Sequence, residues 1–277
     1  VPDISRNAIA NLGYAEGRFL APVYCGDTVS AASEVMGLRE NSNGKSGIVM
    51  VRSRAFNQHQ EMIVEYMRWV MVNKRDPSSP APDPYMPQLS AAVAPADLMP
   101  PPEGIRKLDS AQSGSNKYFD DYETGLFIDH HDGVTLEDSE HMLATRAYQN
   151  TARVHFGGLA QQETRFGKRL IYGGHIISHA RAMSFNGLEN AVCVAGLNAG
   201  THAAPAFAGD TIYAGTRIME KAAVAGVESV GAMRLRHFVT KNKPVGDITE
   251  LVSNREAENK PDDLLLDLDC WVWMARR

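Results

Sequence analysis

Gly17-Arg-Phe-Leu-Ala-Pro-Val-Tyr-Cys-Gly-Asp-Thr28 returns later in the same chain as Gly200-Thr-His-Ala-Ala-Pro-Ala-Phe-Ala-Gly-Asp-Thr211. The glycine, the Ala-Pro pair and Gly-Asp-Thr match without a gap. The correspondence continues downstream: Val35-Met36 answers to Ile218-Met219, Gly47 to Gly231 after one gap, and Trp69 to Arg75 answers to Trp271 to Arg277. Two diverged copies of one supersecondary unit follow from this self-similarity. Between them, nine of the 14 prolines fall in Pro77 to Pro102, a composition that sustains neither a helix nor a central strand. The expected organisation is a first repeat over 1–76, a Pro-rich linker over 77–112 and a second, catalytic repeat over 113–277.

The second copy shows what the unit is made of. Leu264, Leu266, Leu268, Cys270, Val272 and Met274 share one parity while Asp267 and Asp269 lie on the other, which predicts a strand with one buried face. Met233, Leu235, His237 and Val239 alternate with Arg234 and Arg236, and Ile212 to Met219 is a further β-rich run. Three long strands are therefore expected to close each copy. Ile176, Ile177, Ala180, Met183 and Phe185 recur at roughly helical spacing and predict a buried helix from Gly174 to Phe185, stopped by Gly187. Thr135-Leu-Glu-Asp138 reads as a capping box opening another helix through about Tyr148. First-copy counterparts of residues 115–182 would fall before Val1. The first copy is thus expected to show sheet without its helix, either because the sequence belongs to a longer chain or because a partner subunit covers a half-repeat.

Composition narrows the function. The chain has 277 residues, 44% hydrophobic and 22% charged, with 28 Lys+Arg against 33 Asp+Glu for a net charge of -5. No block of one sign resembles an electrostatic footprint for nucleic acid or an anionic membrane, so a small-molecule partner is expected. The longest uncharged run, Asn190 to Gly209, is broken by Gly, Asn, Thr, His and Pro and does not read as a membrane span. Three scattered cysteines, with no CxxC spacing and no leader pattern before them, point to a reducing, cytoplasmic setting.

The densest chemistry lies in Tyr148-Gln-Asn-Thr-Ala-Arg-Val-His155, Leu170-Ile-Tyr-Gly-Gly-His-Ile-Ile-Ser178 and Asn198-Ala-Gly-Thr-His202. A helix, a polar segment ending in His, a Tyr-Gly-Gly-His helix entrance and a strand ending in Pro-x-x-x-Gly-Asp resemble the MaoC-like (R)-specific enoyl-CoA hydratases. The wording of the three segments is most similar to the tandem mesaconyl-CoA hydratase (β-methylmalyl-CoA dehydratase) branch. The resemblance implies an α+β fold, a double (tandem) hotdog in which an antiparallel sheet wraps a long helix. It also implies reversible hydration of a branched dicarboxylic enoyl-CoA, mesaconyl-CoA and water giving β-methylmalyl-CoA. A general enoyl-CoA hydratase, an acyl-CoA thioesterase on the same fold and a non-catalytic acyl binder remain the alternatives.

Hydration across a double bond conjugated to a thioester needs a base for water, an acid for the α-carbon and a donor for the enolate-like oxygen. At the family's histidine position stands His155, the expected acid/base; a lone histidine outside such a motif is more often a satisfied core or surface residue. Gly174, at a helix start, is expected to bring a backbone N–H to the thioester oxygen. Asn150 stands where the family has a catalytic aspartate, and an amide holds water or orients substrate but takes no proton. A replacement carboxylate is sought at Asp132 in His130-His131-Asp132, whose plainer reading is a polar turn. Arg153, replacing the family's proline, is a surface arginine or a fork for a substrate carboxylate. Tyr172, Gly173, His175, Asn198 and His202 complete the expected substrate-binding set. No metal and no cofactor beyond the CoA of the substrate is expected, neighbouring ligand types at 130–132 pointing apart on a strand. Expected partners are an acyl-CoA and further copies of the chain, as a homodimer or higher homo-oligomer.

Overall fold

The computed structural model describes residues 2–107, 109–248 and 261–277. Its strands are β1 (Ala8–Phe19), β2 (Ser30–Glu40), β3 (Ser46–Phe56), β4 (Met62–Asn73), β5 (Phe127–Asp129), β6 (Val134–Thr135), β7 (Ala191–His202), β8 (Thr211–Val224), β9 (Val227–Lys241) and β10 (Leu264–Ala275). They form one antiparallel sheet in the order β2-β3-β4-β1-β7-β10-β9-β8-β5, with β6 added on β8. The first copy, β2-β3-β4-β1, is mirrored in the second, β7-β10-β9-β8, and the two meet at β1 and β7. Every copy-one strand therefore has a copy-two counterpart, and β7 and β10 start and end at the residues that the repeat correspondence assigns to β1 and β4.

Each copy has four long strands rather than the three expected, the additional pair being β1 and β7. Neither shows a plain alternation, because both lie mid-sheet and are rich in small residues that let the copies approach. Tyr14 pairs with Gly200 and Gly17 with Leu197 across the seam. A Cβ built on Gly13 would stand 2.4 Å from the backbone oxygen of Gly200, so glycine is required there.

The helices are α1 (Pro2–Arg6), α2 (Glu103–Arg106), α3 (Asp138–Ala147), α4 (Gly158–Gln161) and α5 (Gly173–Met183). α5 is the wrapped helix: Ile176, Ala180 and Met183 pack with Ile212, Val239, Leu266 and Leu268 on one face of the sheet. Gly187 follows at φ +99, a backbone that a side chain would strain, and ends the helical segment. Among the described residues the first copy has its four strands and no counterpart of α5. The expected capping box is not formed. Thr135 lies in β6, pairing with Thr211, and α3 begins after Glu137 without a side-chain cap.

The linker segment crosses the opposite face of the sheet. Val93 and Leu98 pack with Trp271 and Trp273, and the Trp271 indole donates to the Val93 carbonyl at 2.9 Å. This cover corrects the expectation of one buried face on β10, where both parities are buried. Its two aspartates are carried inside by ion pairs from β9, Asp269 with Arg234 at 2.8 Å and Asp267 with Arg236 at 2.7 Å. Such pairing is the condition on which charged groups are tolerated in an interior.

Candidate active site at the junction of the repeats

His155 ends a short 3-10 turn (Arg153–His155) after α3. Its Nδ1 lies 3.1 Å from the Leu170 carbonyl, which only accepts, so Nδ1 carries the proton and Nε2 is the basic nitrogen. Burial pushes this imidazole down to about 4, against the opposing effect of the Leu170 bond, and His141 lowers it further. At neutral pH His155 is therefore an uncharged base. Its ring stands edge-on to Tyr172, centroids 5.7 Å apart, at the entrance of α5.

His141 joins the two segments. From α3, its Nδ1 accepts the Tyr172 backbone N–H at 3.1 Å while Nε2 donates to the His155 carbonyl at 2.9 Å. A backbone amide can only donate and a carbonyl only accept, so these two bonds fix the tautomer. The side chain is fully buried, and burial keeps it neutral. Sequence reading passed over His141; its position one turn into the helix preceding the motif is the only signal it offers.

The N–H groups of Gly173 and Gly174 lie in the first turn of α5, ahead of its hydrogen-bond ladder, and carry the positive end of the helix dipole. Both glycines are closely covered by aromatic rings. A Cβ on Gly173 would come within 2.6 Å of the His202 ring, and one on Gly174 within 2.5 Å of the Tyr172 ring. His202, at the end of β7, is likewise pushed down to about 4 by burial, with His155 adding to the effect, and its Nε2 is buried without a hydrogen-bond partner among the described residues. Against it stands Tyr14 of the first copy, ring centroids 5.8 Å apart. The site thus gathers His155, Tyr172, Gly173, Gly174 and His202 from the second copy and Tyr14 from β1.

Other expected residues lie elsewhere or act locally. Asn150 is spent on the turn, its Oδ1 accepting from Ala152 N–H at 2.8 Å. Arg153 is exposed, and its carbonyl closes the turn by accepting from Gly157 N–H. Asn198 points to the linker face: its Oδ1 accepts from Val93 N–H and its amide donates to Asp269. The cause is a register shift in the β7–β10 pairing between Asp269 and Cys270, which turns Asn198 away from the side occupied by His202. Asp132 and His131 are exposed. His130 is buried in a structural network, donating from Nδ1 to the Asn186 carbonyl and bonding Thr216, which also bonds His237.

His175 also leaves the substrate set. It sits in the first turn of α5 with its Nε2 at 3.1 Å from that of His179, and Glu140 of α3 completes a group whose donor atoms lie within 4.8 Å of one another. Residues 175 and 179 form a helical His-x-x-x-His pair that the sequence reading did not credit, and this trio could hold a cation. Beside the His155 turn, a cavity of about 480 Å³ is lined by Asp138, Gly158, Leu159, Gln162, Gly167, Lys168, Arg169 and Ala208. Arg169 pairs with Asp138, while Lys168 lies over the Phe207 ring and Arg165 over Phe166. This basic, partly aromatic rim leads directly to Leu170, the residue that orients His155.

Residues 1–252 match the model of the mesaconyl-CoA hydratase family. The chain is 53% identical to the β-methylmalyl-CoA dehydratase of Chloroflexus aurantiacus and 52% identical to the mesaconyl-CoA hydratase of Cereibacter sphaeroides. In each comparison all of this chain aligns with 78% of the relative. Its structure is similar, with a TM-score of 0.91, to a crystal structure from Chloroflexus aurantiacus described as a MaoC domain protein dehydratase, 53% identical and covered over 78% of its length. A Mycobacterium tuberculosis protein described as having a double hotdog fold is 23% identical over 98% of this chain and 76% of its own, with a TM-score of 0.74, a likeness of fold alone.

Proposed function

The chain belongs to the mesaconyl-CoA hydratase family, and from that premise we propose that it interconverts mesaconyl-CoA and β-methylmalyl-CoA at the repeat junction, with His155 as acid and base. As a member it is a hydro-lyase acting on a CoA thioester, with a double hotdog fold. What supports the finer reading is one observation: His155 has Nδ1 tied to the Leu170 carbonyl and so presents an unprotonated Nε2 beside the Gly173–Gly174 helix entrance.

In the proposed reaction the Gly174 N–H donates a hydrogen bond to the thioester oxygen and stabilises the negative charge that grows there, helped by the α5 dipole. Neutral His155 removes a proton from water as the water oxygen bonds to the β-carbon, and the electron pair of the double bond moves onto the thioester. The imidazolium then returns its proton to the α-carbon, so one H and one OH have been added and the histidine is neutral again. Asn150, at the position of the family's aspartate, takes no proton, and the ring neighbours of His155 and His202 are His141, Tyr172 and Tyr14. A single histidine is accordingly asked to serve both halves of the addition. The CoA phosphates are proposed to lie over the basic segment Arg165 to Arg169, next to the 480 Å³ cavity.

Incubation of the protein with mesaconyl-CoA, following enoyl-thioester absorbance and free thiol together, tests the assignment. Loss of absorbance without thiol release is expected. Thiol release would mark a thioesterase, and neither change would mark a binder.

A further inference from the structure

Comparing the two copies on the face of the sheet that carries α5 isolates a difference. In the second copy this face is apolar at Leu197, Leu268 and Cys270, all packed in the core. The first-copy residues at the corresponding repeat positions are Tyr14, Tyr66 and Arg68. An apolar wall has been replaced by two phenols and a guanidinium, at positions that the fold directs toward the junction.

Those three side chains stand together. Tyr14 and Arg68 are direct partners across β1 and β4, and the Tyr14 and Tyr66 rings are 6.3 Å apart. Tyr14 in turn touches His202, which packs on Gly173. The field of Arg68 reaches both Tyr14 and Tyr172, opposing the upward push that burial gives each phenol. As the direct cross-strand partner of Tyr14, Arg68 shares the sheet face on which Tyr14 meets His202 at the α5 entrance. Its Nε is buried and has no hydrogen-bond partner among the described residues. Among the described arginines of this sheet, Arg217 of β8 shares an unpartnered buried Nε but stands by the Phe127 ring, 5.9 Å from its centroid, whereas on the linker side Arg54 and Arg18 both bind Glu65.

We propose that Arg68, flanked by Tyr14 and Tyr66, is the subsite that receives the free carboxylate of the acyl group, and that it sets the preference for a dicarboxylic over a neutral enoyl-CoA. This deepens the proposed function and rests on it. A planar guanidinium with a free Nε matches a carboxylate with two parallel hydrogen bonds, and the phenols can donate to its remaining lone pairs. A neutral acyl chain leaves the buried nitrogen without an acceptor, a mismatch that discriminates far more than a lost methyl group. The role expected of Arg153 thus passes to a residue of the other copy.

The test compares Arg68→Met and Arg68→Lys with the parent. Turnover is measured on mesaconyl-CoA, and binding on two unreactive saturated analogues: methylsuccinyl-CoA, which keeps the carboxylate, and 2-methylbutanoyl-CoA, which carries a methyl in its place. Arg68→Met is expected to weaken methylsuccinyl-CoA binding and kcat/KM for mesaconyl-CoA by at least ~10²-fold, with 2-methylbutanoyl-CoA changed by less than about threefold. Arg68→Lys, which keeps the charge but loses the fork, is expected to fall between, and serves alone if the Met variant does not fold. Parallel weakening of both analogues, or no weakening of either, overturns the subsite. A parent protein that binds methylsuccinyl-CoA but does not hydrate mesaconyl-CoA would instead overturn the proposed reaction and leave the subsite standing.

Discussion

At the scale of single residues, the site depends on two histidines with complementary tasks. His155 presents a basic nitrogen because Leu170 holds the other one, and His141 keeps the segment of His155 at a fixed distance from the helix entrance. Replacing His141 by Ala leaves the Tyr172 N–H and the His155 carbonyl without this partner, at a cost of about 1–3 kcal/mol for each group that stays buried. A lower urea midpoint is expected, together with a kcat reduced by at least ~10-fold. KM should move far less, since both ring nitrogens of His141 are taken up by backbone groups. An equal loss in stability with unchanged kcat would reduce His141 to a purely structural bond. The place of His155 beside the α5 entrance follows from its motif, whereas His141 was not legible, because a histidine whose partners are both backbone groups leaves no pattern in side-chain types.

The elements tell the same story through the repeat. The seam between β1 and β7 is set by Gly13 and Gly17, where a Cβ would stand 2.4 Å from the Gly200 backbone oxygen and 2.7 Å from the Leu197 Cβ. Gly13→Ala should push the Gly200 carbonyl aside and destabilise the chain by about 1–3 kcal/mol, read as a drop in Tm, because neither the backbone oxygen nor the Trp69 ring can yield cheaply. A Tm unchanged within error would mean that the seam is looser than described. Much of this level was readable: matching Gly-Asp-Thr segments located the copies, and the spacing around Ile176 located the wrapped helix. The seam strands themselves escaped because small residues flanked by sheet on both sides show no alternation. Asn198 was misjudged since a bulge reverses parity between it and His202, which even spacing from residue 198 to 202 conceals. Arg68 could have been found by asking which first-copy position opposes the core residue Cys270.

For the whole molecule, the interior carries an unusual number of neutral imidazoles. His130, His141, His155, His175, His202 and His237 are all lowered from 6.5 by burial, His155 and His202 to about 4 and His237 to about 3. Between those values and 6.5 the unfolded chain binds protons that the folded chain refuses, so stability is fully present above 6.5 and declines as pH falls. For a histidine wholly neutral in the fold the slope approaches about 1.4 kcal/mol per pH unit, and several act together. Urea midpoints measured from neutral pH down to about 5 should fall steadily, with the acid end of the decline deepened by carboxylates such as Glu65 that are held low by arginine bonds. A midpoint independent of pH over that range would contradict neutral burial. No helix among the described residues is long and apolar enough to cross a membrane. The central claim is that His155 transfers the proton at a junction site built by both copies. It is tested most directly by the rate at which His155→Ala, shown to keep the parent Tm, removes the enoyl absorbance of mesaconyl-CoA. The account predicts a kcat at least ~10²-fold below the parent, and turnover within about threefold of the parent would contradict it.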